Sequence, residues 1–272
     1  MIAASVVIPT FNRARFLPRA IDSALAQTHP CQVVVCDHGS TDGTPEVART
    51  YGPRITYVRR EVDQGPIACW RDGVAHATGE VVQINFDDDW TEPAFVSRCL
   101  ELLADDVAFV YTRVNVVDTG TGRAQPHNRH PAGVRPIRDF VRHLLRMSTT
   151  VSPGCALFRR VDVATHLLPS VPGAAGRYGK NTGVGEDALL FLLTSLHYPR
   201  YGHVPQALAS FSAHPGSITI DALNSDKRAA LVAAYDHAKA FYREQPGSEP
   251  PRARPLELLD ELRWRWIARA GR

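Results

Sequence analysis

The chain has 272 residues, of which 44% are apolar, and a formal net charge of only +3. That is enough for one large α/β domain or two small ones, and it excludes a disordered chain. The small net charge leaves no electrostatic footprint for nucleic acid. Five cysteines (Cys31, Cys36, Cys69, Cys99, Cys155) are scattered without a C-x-x-C pair, and they read as small buried hydrophobes in a reducing compartment. No apolar stretch is long enough to span a bilayer, and Ser5-Val6-Val7-Ile8-Pro9 reads as a first strand rather than a signal peptide. A cytoplasmic protein is the expectation.

In chain order, Ser5–Ile8, Gln32–Cys36, Ile55–Val58 and Val81–Ile84 are predicted strands. Phe16–Gln27, Pro45–Tyr51, Pro66–Ala77 and Pro93–Leu103 are predicted helices between and after them. Such alternation predicts βαβ units and a mostly parallel sheet flanked by helices. Thr44 is placed to cap the second helix, with Pro45 in its first turn. A strand begins in Asp105–Tyr111, and Thr119–Pro136 reads as a polar, basic loop. The second half is less regular. Ile137–Met147 and Val161–Leu168 read as helices around a strand near Cys155–Phe158. Pro169–Gly185 is Gly-rich and reads as a functional loop, followed by helices at Glu186–His197 and Asp226–Tyr242. Gln245–Pro255 is a Pro-rich linker, and Leu256–Ala270 a terminal helix. The divisions expected are 1–112, 113–244 and 245–272.

The most telling stretch is Asn85-Phe86-Asp87-Asp88-Asp89-Trp90, directly after an apolar strand. Three adjacent carboxylates repel one another and are costly to desolvate without a cation or hydrogen-bond donors. Hard divalent metals with oxygen ligands, bridging to phosphates, are the usual answer. Two further polar clusters, Thr10-Phe11-Asn12-Arg13 and Asp37-His38-Gly39-Ser40, follow strands one and two. Ligands of open α/β sheets bind outside the carboxyl ends of the strands, so the three clusters are expected on one rim.

These residues, with Val34-Val35-Cys36-Asp37-His38-Gly39-Ser40-Thr41-Asp42-Gly43-Thr44, Trp70-Arg71-Asp72-Gly73 and Gly79-Glu80, resemble family 2 glycosyltransferases of the GT-A fold. The resemblance is strong over the first third to half of the chain, with echoes at Glu186-Asp187 and His214-Pro215-Gly216-Ser217-Ile218-Thr219. It implies a single GT-A-like, Rossmann-type domain with a nucleotide-sugar-binding half and an irregular acceptor-binding half. It further implies that Pro9, Thr10, Phe11, Arg13, Asp37, Arg71, Asp87 and Asp88 line the donor site, Asp37 on the base and Asp88 on the ribose. Asp89 and His214 would bind Mn2+ or Mg2+, and Asp187 would be the general base of an inverting displacement. The partners implied are a nucleotide-sugar, a UDP-sugar first, and a small-molecule, peptide or glycan acceptor.

His38, Phe86, Ser212 and the bulky Trp70 depart from the family pattern. They keep open a non-catalytic nucleotide-sugar-binding homologue. A sugar-1-phosphate nucleotidyltransferase is disfavoured, because Pro9-Thr10-Phe11-Asn12-Arg13 lacks the glycines of a triphosphate loop. Several residues also carry plain readings: Asp42 as a turn former, Asp187 as a helix-dipole acid, His214 as a structural polar group and Arg71 as a surface ion-pair partner. His127 and His130 could form an acceptor-phosphate patch, although a solvated loop is the favoured reading. The terminal helix, with Arg263, Arg265 and Arg269 beside Trp264 and Trp266, reads as docked, with weak contact to a membrane surface as the alternative.

Overall fold

The structure, a computed structural model, describes residues 3–146, 149, 151–173, 183–217 and 228–248. The terminal helix and its linker beyond residue 248, and most of the Gly-rich segment, lie outside the described residues.

Four strands rich in β-branched residues form the heart of the sheet: β1 (Ala4–Thr10), β2 (Cys31–His38), β3 (Thr56–Arg60) and β4 (Val81–Ile84). They run parallel in the order β3-β2-β1-β4. The alternation of side chains along β1 sends Val6 and Ile8 to one face and Val7 to the other. Helices α1 (Leu17–Leu25) and α2 (Thr44–Thr50) cover the first face, and α3 (Pro66–His76) the second. Each carries a proline in its first turn, where the missing N–H has no helical partner to lose. Thr44 is not a cap. It is the first residue of α2, and its hydroxyl accepts the amide of Arg13 at 2.9 Å, while the Asp42 carboxylate takes the Thr44 amide.

The sheet continues through β9 (Ala156–Arg159), antiparallel to β4, to β6 (Val107–Asp118) and β10 (Arg200–Ala213), which are parallel to each other. The two-residue β5 (Trp90–Thr91) adds antiparallel to β10, with Trp90 opposite Ser210. Short α4 (Phe95–Leu100) packs on one face, while α5 (Ile137–Leu145), α6 (Arg160–His166), α7 (Glu186–Ser195) and α8 (Arg228–Arg243) belong to the α3 side. Helix α7 is buried from Ala188 to Ser195, as expected of an element apolar on all sides. No helix among the described residues is long and apolar enough to cross a membrane.

Two expectations change. The segment 119–136 is not a plain loop: β7 (Ala124–His127) pairs with β6 and β8 (Gly133–Pro136) with β10. His130 is accordingly packed against His143, ring centroids 4.3 Å apart, and near His203. Burial, with those two imidazoles, pushes it down to about 4. The second change is β10 itself, which sequence periodicity did not reveal.

The β2–α2 turn depends on Gly39, whose φ is 78° and whose Cβ, if present, would lie 2.9 Å from the Glu61 carbonyl oxygen. Gly39→Ala is therefore expected to lower unfolding free energy by about 1–3 kcal/mol, from both the left-handed backbone and the clash. Urea unfolding checks this, and an unchanged midpoint would show that the turn relaxes freely.

Candidate active site

The parallel register sets Thr10 opposite Asp37, so the loops after β1 and β2 leave the sheet side by side. They are sewn together through Asn12, which adopts a left-handed φ of 53°, a conformation asparagine tolerates. Its side-chain oxygen accepts the Thr41 amide at 2.8 Å, and its own amide donates to the Ser40 hydroxyl at 2.9 Å. Asp42 takes the amides of Thr44 and Ala14, which is the work of a turn former. At the tip of this pair of loops, Phe11 is 43% exposed.

The acidic run leaves β4 on the same rim. Asp89 is buried, and its Oδ1 accepts the Ser212 amide at 2.8 Å. Asp88 Oδ2 meets His214 Nε2 at 3.0 Å, and the His214 ring stacks on Phe16 with centroids 4.5 Å apart. The other ring nitrogen, Nδ1, lies 2.8 Å from the Pro215 carbonyl, which can only accept. Nε2 and a carboxylate therefore need a proton between them, or a cation in its place. Arg19 reaches in from α1 over the Trp90 ring, 3.8 Å from its centroid, and donates to the Asp88 carbonyl and the Ser212 hydroxyl. Arg13 lies 3.8 Å from Asp87 and donates to the Gly216 carbonyl.

These cations do not neutralise the cluster. Burial, then the Asp88 charge, pushes the Asp87 carboxyl up to about 7, with Arg13 pulling it back. Asp89 is likewise held well above the usual carboxylate range, by burial first and Asp88 second. Among the described residues, Asn85 Oδ1 is also buried without a hydrogen-bond partner, and the Thr10 hydroxyl lies against the Asp87 carboxylate. Carboxylates short of positive charge, with a spare oxygen donor beside them, make a set that suits a hard divalent cation.

The model of the family described as glycosyl transferase family 2 matches residues 5–167, more than half of the sequence. The chain belongs to glycosyltransferase family 2. An uncharacterized glycosyltransferase of Nostoc sp. is 36% identical over 119 residues, 42% of this chain and 37% of that relative. The chain thus matches well under half the length of that relative. Among solved structures, TarS of S. aureus in complex with UDP-GlcNAc superposes with a TM-score of 0.63 at 18% identity, over 89% of this chain and 74% of that one. A mannosyltransferase from Pyrobaculum calidifontis in complex with GDP-Man and Mn2+ gives 0.60 at 20% identity, over 99% and 73%. At those identities the structures establish the GT-A fold.

Within this family 2 domain, Asp187 opens α7. Its carboxylate accepts the amides of Gly185 and Ala188 and the hydroxyl of Tyr235. Burial still pushes it up to about 6. The start of α7 is tied to the acidic run by packing: a Cβ at Gly183 would lie 3.3 Å from the Trp70 ring, and Trp70 packs on Phe86 at 5.0 Å.

Three expected residues sit differently. Pro9 is buried inside β1 opposite Cys36, so it shapes the strand rather than a ligand surface. The Asp37 side chain is 0% exposed, and its oxygens accept from Tyr57, Arg59 and the Ser40 amide. The group offered at that edge is Arg59, which is 28% exposed. Arg71 donates to the Leu167 carbonyl after α6 and, among the described residues, makes no hydrogen bond to the acidic run. Arg19, Arg59 and Tyr235 were missed from sequence. An acidic triad demands a counter-charge, but nothing in the pattern says which helix supplies it.

In the folded state Asp87 keeps its proton where the unfolded chain, near an ordinary carboxyl value of about 4, has lost it. That contribution to stability is complete at low pH and disappears as pH rises through about 7. Buried histidines such as His130 act in the opposite sense, but they are common to both proteins in a comparison. Asp87→Asn should therefore gain stability relative to wild type by roughly 1–3 kcal/mol between pH 5 and pH 8. A pH-independent difference in urea unfolding would show that Asp87 ionises normally.

Proposed function

We propose that this domain is a metal-dependent, inverting glycosyltransferase that moves a sugar from a nucleotide-sugar, a UDP-sugar first, to a small-molecule, peptide or glycan acceptor. The observation carrying this reading is the under-neutralised run Asp87-Asp88-Asp89, held against Ser212 and His214 by elements from both halves of the chain. The solved relatives support the donor class, since they hold UDP-GlcNAc in one case and GDP-Man with Mn2+ in another.

Asp89 and His214 would hold the cation, with Asp88 placed between His214 and the ribose. When bound, Mn2+ or Mg2+ stabilises the departing diphosphate. Phe11 offers an apolar plate to the nucleotide, while Thr10 and Arg13 flank it. Asp37 acts on the base through the Arg59 and Tyr57 that it orients. Asp187 takes the acceptor proton. A carboxylate titrating near 6 is mostly ionised at neutral pH yet remains a usable base. A base on the face opposite the leaving group gives inversion. The five free cysteines support a reducing, cytoplasmic setting.

UDP, GDP, dTDP and CDP, each with and without Mn2+, should separate by thermal shift. One nucleotide stabilises the protein only with metal, by a few kcal/mol at saturating ligand, and Asp89→Ala abolishes the effect. Stabilisation by none of the four would sink the donor site. Asp187→Asn should lower kcat by roughly 10²–10⁴ with donor binding intact, and should remove an acid limb near pH 6 from the wild-type rate profile. Full turnover in that variant would take the base role from Asp187.

A further inference from the structure

The far end of β2 carries chemistry that glycosyl transfer does not use. Side chains alternate along the strand, so Cys36 and His38 emerge together on the face covered by α3. Helix α3 presents Cys69 and Asp72, three residues apart and so on one helical face. The two thiol sulfurs and a ring nitrogen of His38 all lie within 4.8 Å of one another, and all three residues are buried. His38 Nε2 faces Asp72 Oδ2 at 3.2 Å, and the same carboxylate oxygen accepts from Arg60 Nε at 2.6 Å. A carboxylate anchored by an arginine is an acceptor, so the proton sits on Nε2. Nδ1 is left with a bare lone pair, and it is buried with no hydrogen-bond partner. A buried acceptor of this kind is costly unless something fills it. A histidine whose Nε2 is oriented by a carboxylate, whose Nδ1 has no hydrogen-bond partner and whose ring lies within reach of two thiols, has the arrangement of a metal-ligating imidazole.

We propose that Cys36, Cys69 and His38 Nδ1 bind one thiophilic d10 cation, Zn2+ or Cu+, with a ligand set that shares no residue with the neighbouring acidic run. Ligand spacing permits it. Sulfur at about 2.3 Å and nitrogen at about 2.0 Å from zinc stand roughly 3.5–3.8 Å apart in a tetrahedral shell, inside the observed separation. The charge balances as well. Zinc displaces the two thiol protons to solvent, and two thiolates with a neutral imidazole cancel the dication, so no net charge is buried. The Cys69 thiol, which donates to the Cys36 carbonyl at 3.1 Å, gives up that bond on binding. A cation here would clamp α3 to the end of β2, on the reverse side of the strand from Asp37. The inference is independent of the transferase reading.

The test uses the untagged, reduced full chain with Co2+ as the zinc probe, and Cu+ in competition with a chromogenic chelator. One equivalent of cobalt should give a near-ultraviolet sulfur-to-cobalt charge-transfer band that Zn2+ bleaches. Cys69→Ser should abolish the band, and His38→Gln should weaken cobalt binding by 10-fold or more. Cys99→Ser, in a separate part of the core, should leave it intact. So should Asp89→Ala, because carboxylate-bound cobalt gives no such band. If cobalt gives no band but Cu+ is retained in a Cys69-dependent way, the cation is copper. Absence of both in the wild-type protein, a band that survives Cys69→Ser, or a Cys36–Cys69 disulfide in place of two titratable thiols overturns the proposal. The wild-type arms decide even if a variant fails to fold.

Discussion

Three consecutive, largely buried carboxylates are the constraint around which the rest of this molecule is arranged. Each costs several kcal/mol to desolvate unless something positive or N–H-bearing faces it, and each raises the cost of the next. The partners are gathered from far apart in sequence: Arg19 from the first helix, Ser212 and His214 from the end of the long last strand. The two-residue pairing of β5 with β10 makes this possible, because it fixes Trp90 opposite Ser210 and so delivers the Ser212 amide to Asp89. Electrostatics at the rim thus ties the first half of the chain to a strand from the second. The deficit that remains appears as retained protons on Asp87 and Asp89, and a bound divalent cation would relieve it.

The departures from the family pattern occur in compensated pairs. Ser212 occupies a position where an arginine is common, and a guanidinium arrives from elsewhere: Arg19 lies flat on Trp90 with one nitrogen on the Ser212 hydroxyl. Trp70 is bulkier than the pattern and Phe86 stands where an aspartate is common, and the two pack on each other, with Gly183 leaving room for the indole edge. His38 replaces a carboxylate and takes one across the gap from Asp72. Each of these side chains has a polar or packing partner in the structure.

Legibility from sequence follows the physics of each half. Strands β1, β2 and β4 are buried on both faces, so their β-branched runs announce them, and prolines mark the helix starts. Strand β10 holds Gly202 and Pro205, and its pairing with β6 slips register between Arg200 and Gly202 and again between Val204 and Ala209. Irregular pairing erases the period-two signal that would reveal a strand. Strands β7 and β8 were hidden similarly, since at four residues each they are shorter than the window in which alternation can be counted. The site divides in the same manner. Asp88 and Asp89 stand out as adjacent acids and His214 only through the family resemblance, whereas Arg19 and Tyr235 act at long range from helices whose sequence reports only which side is apolar.

The end of β2 shows how a single strand can serve two sites by parity alone. Asp37 faces one side, where Tyr57, Arg59 and the Ser40 turn saturate it, while Cys36 and His38 face the other, against α3. A carboxylate with no exposed surface cannot itself choose among nucleobases. It can only fix the direction of the groups that hold it, and of these Arg59 reaches solvent. Under the proposed donor role, base selection would depend on β3, through the angle at which Asp37 holds the guanidinium. Anything that shifts the end of β2 relative to α3, from the His38 side, must also move Asp37, because the two residues share one backbone and point in opposite directions.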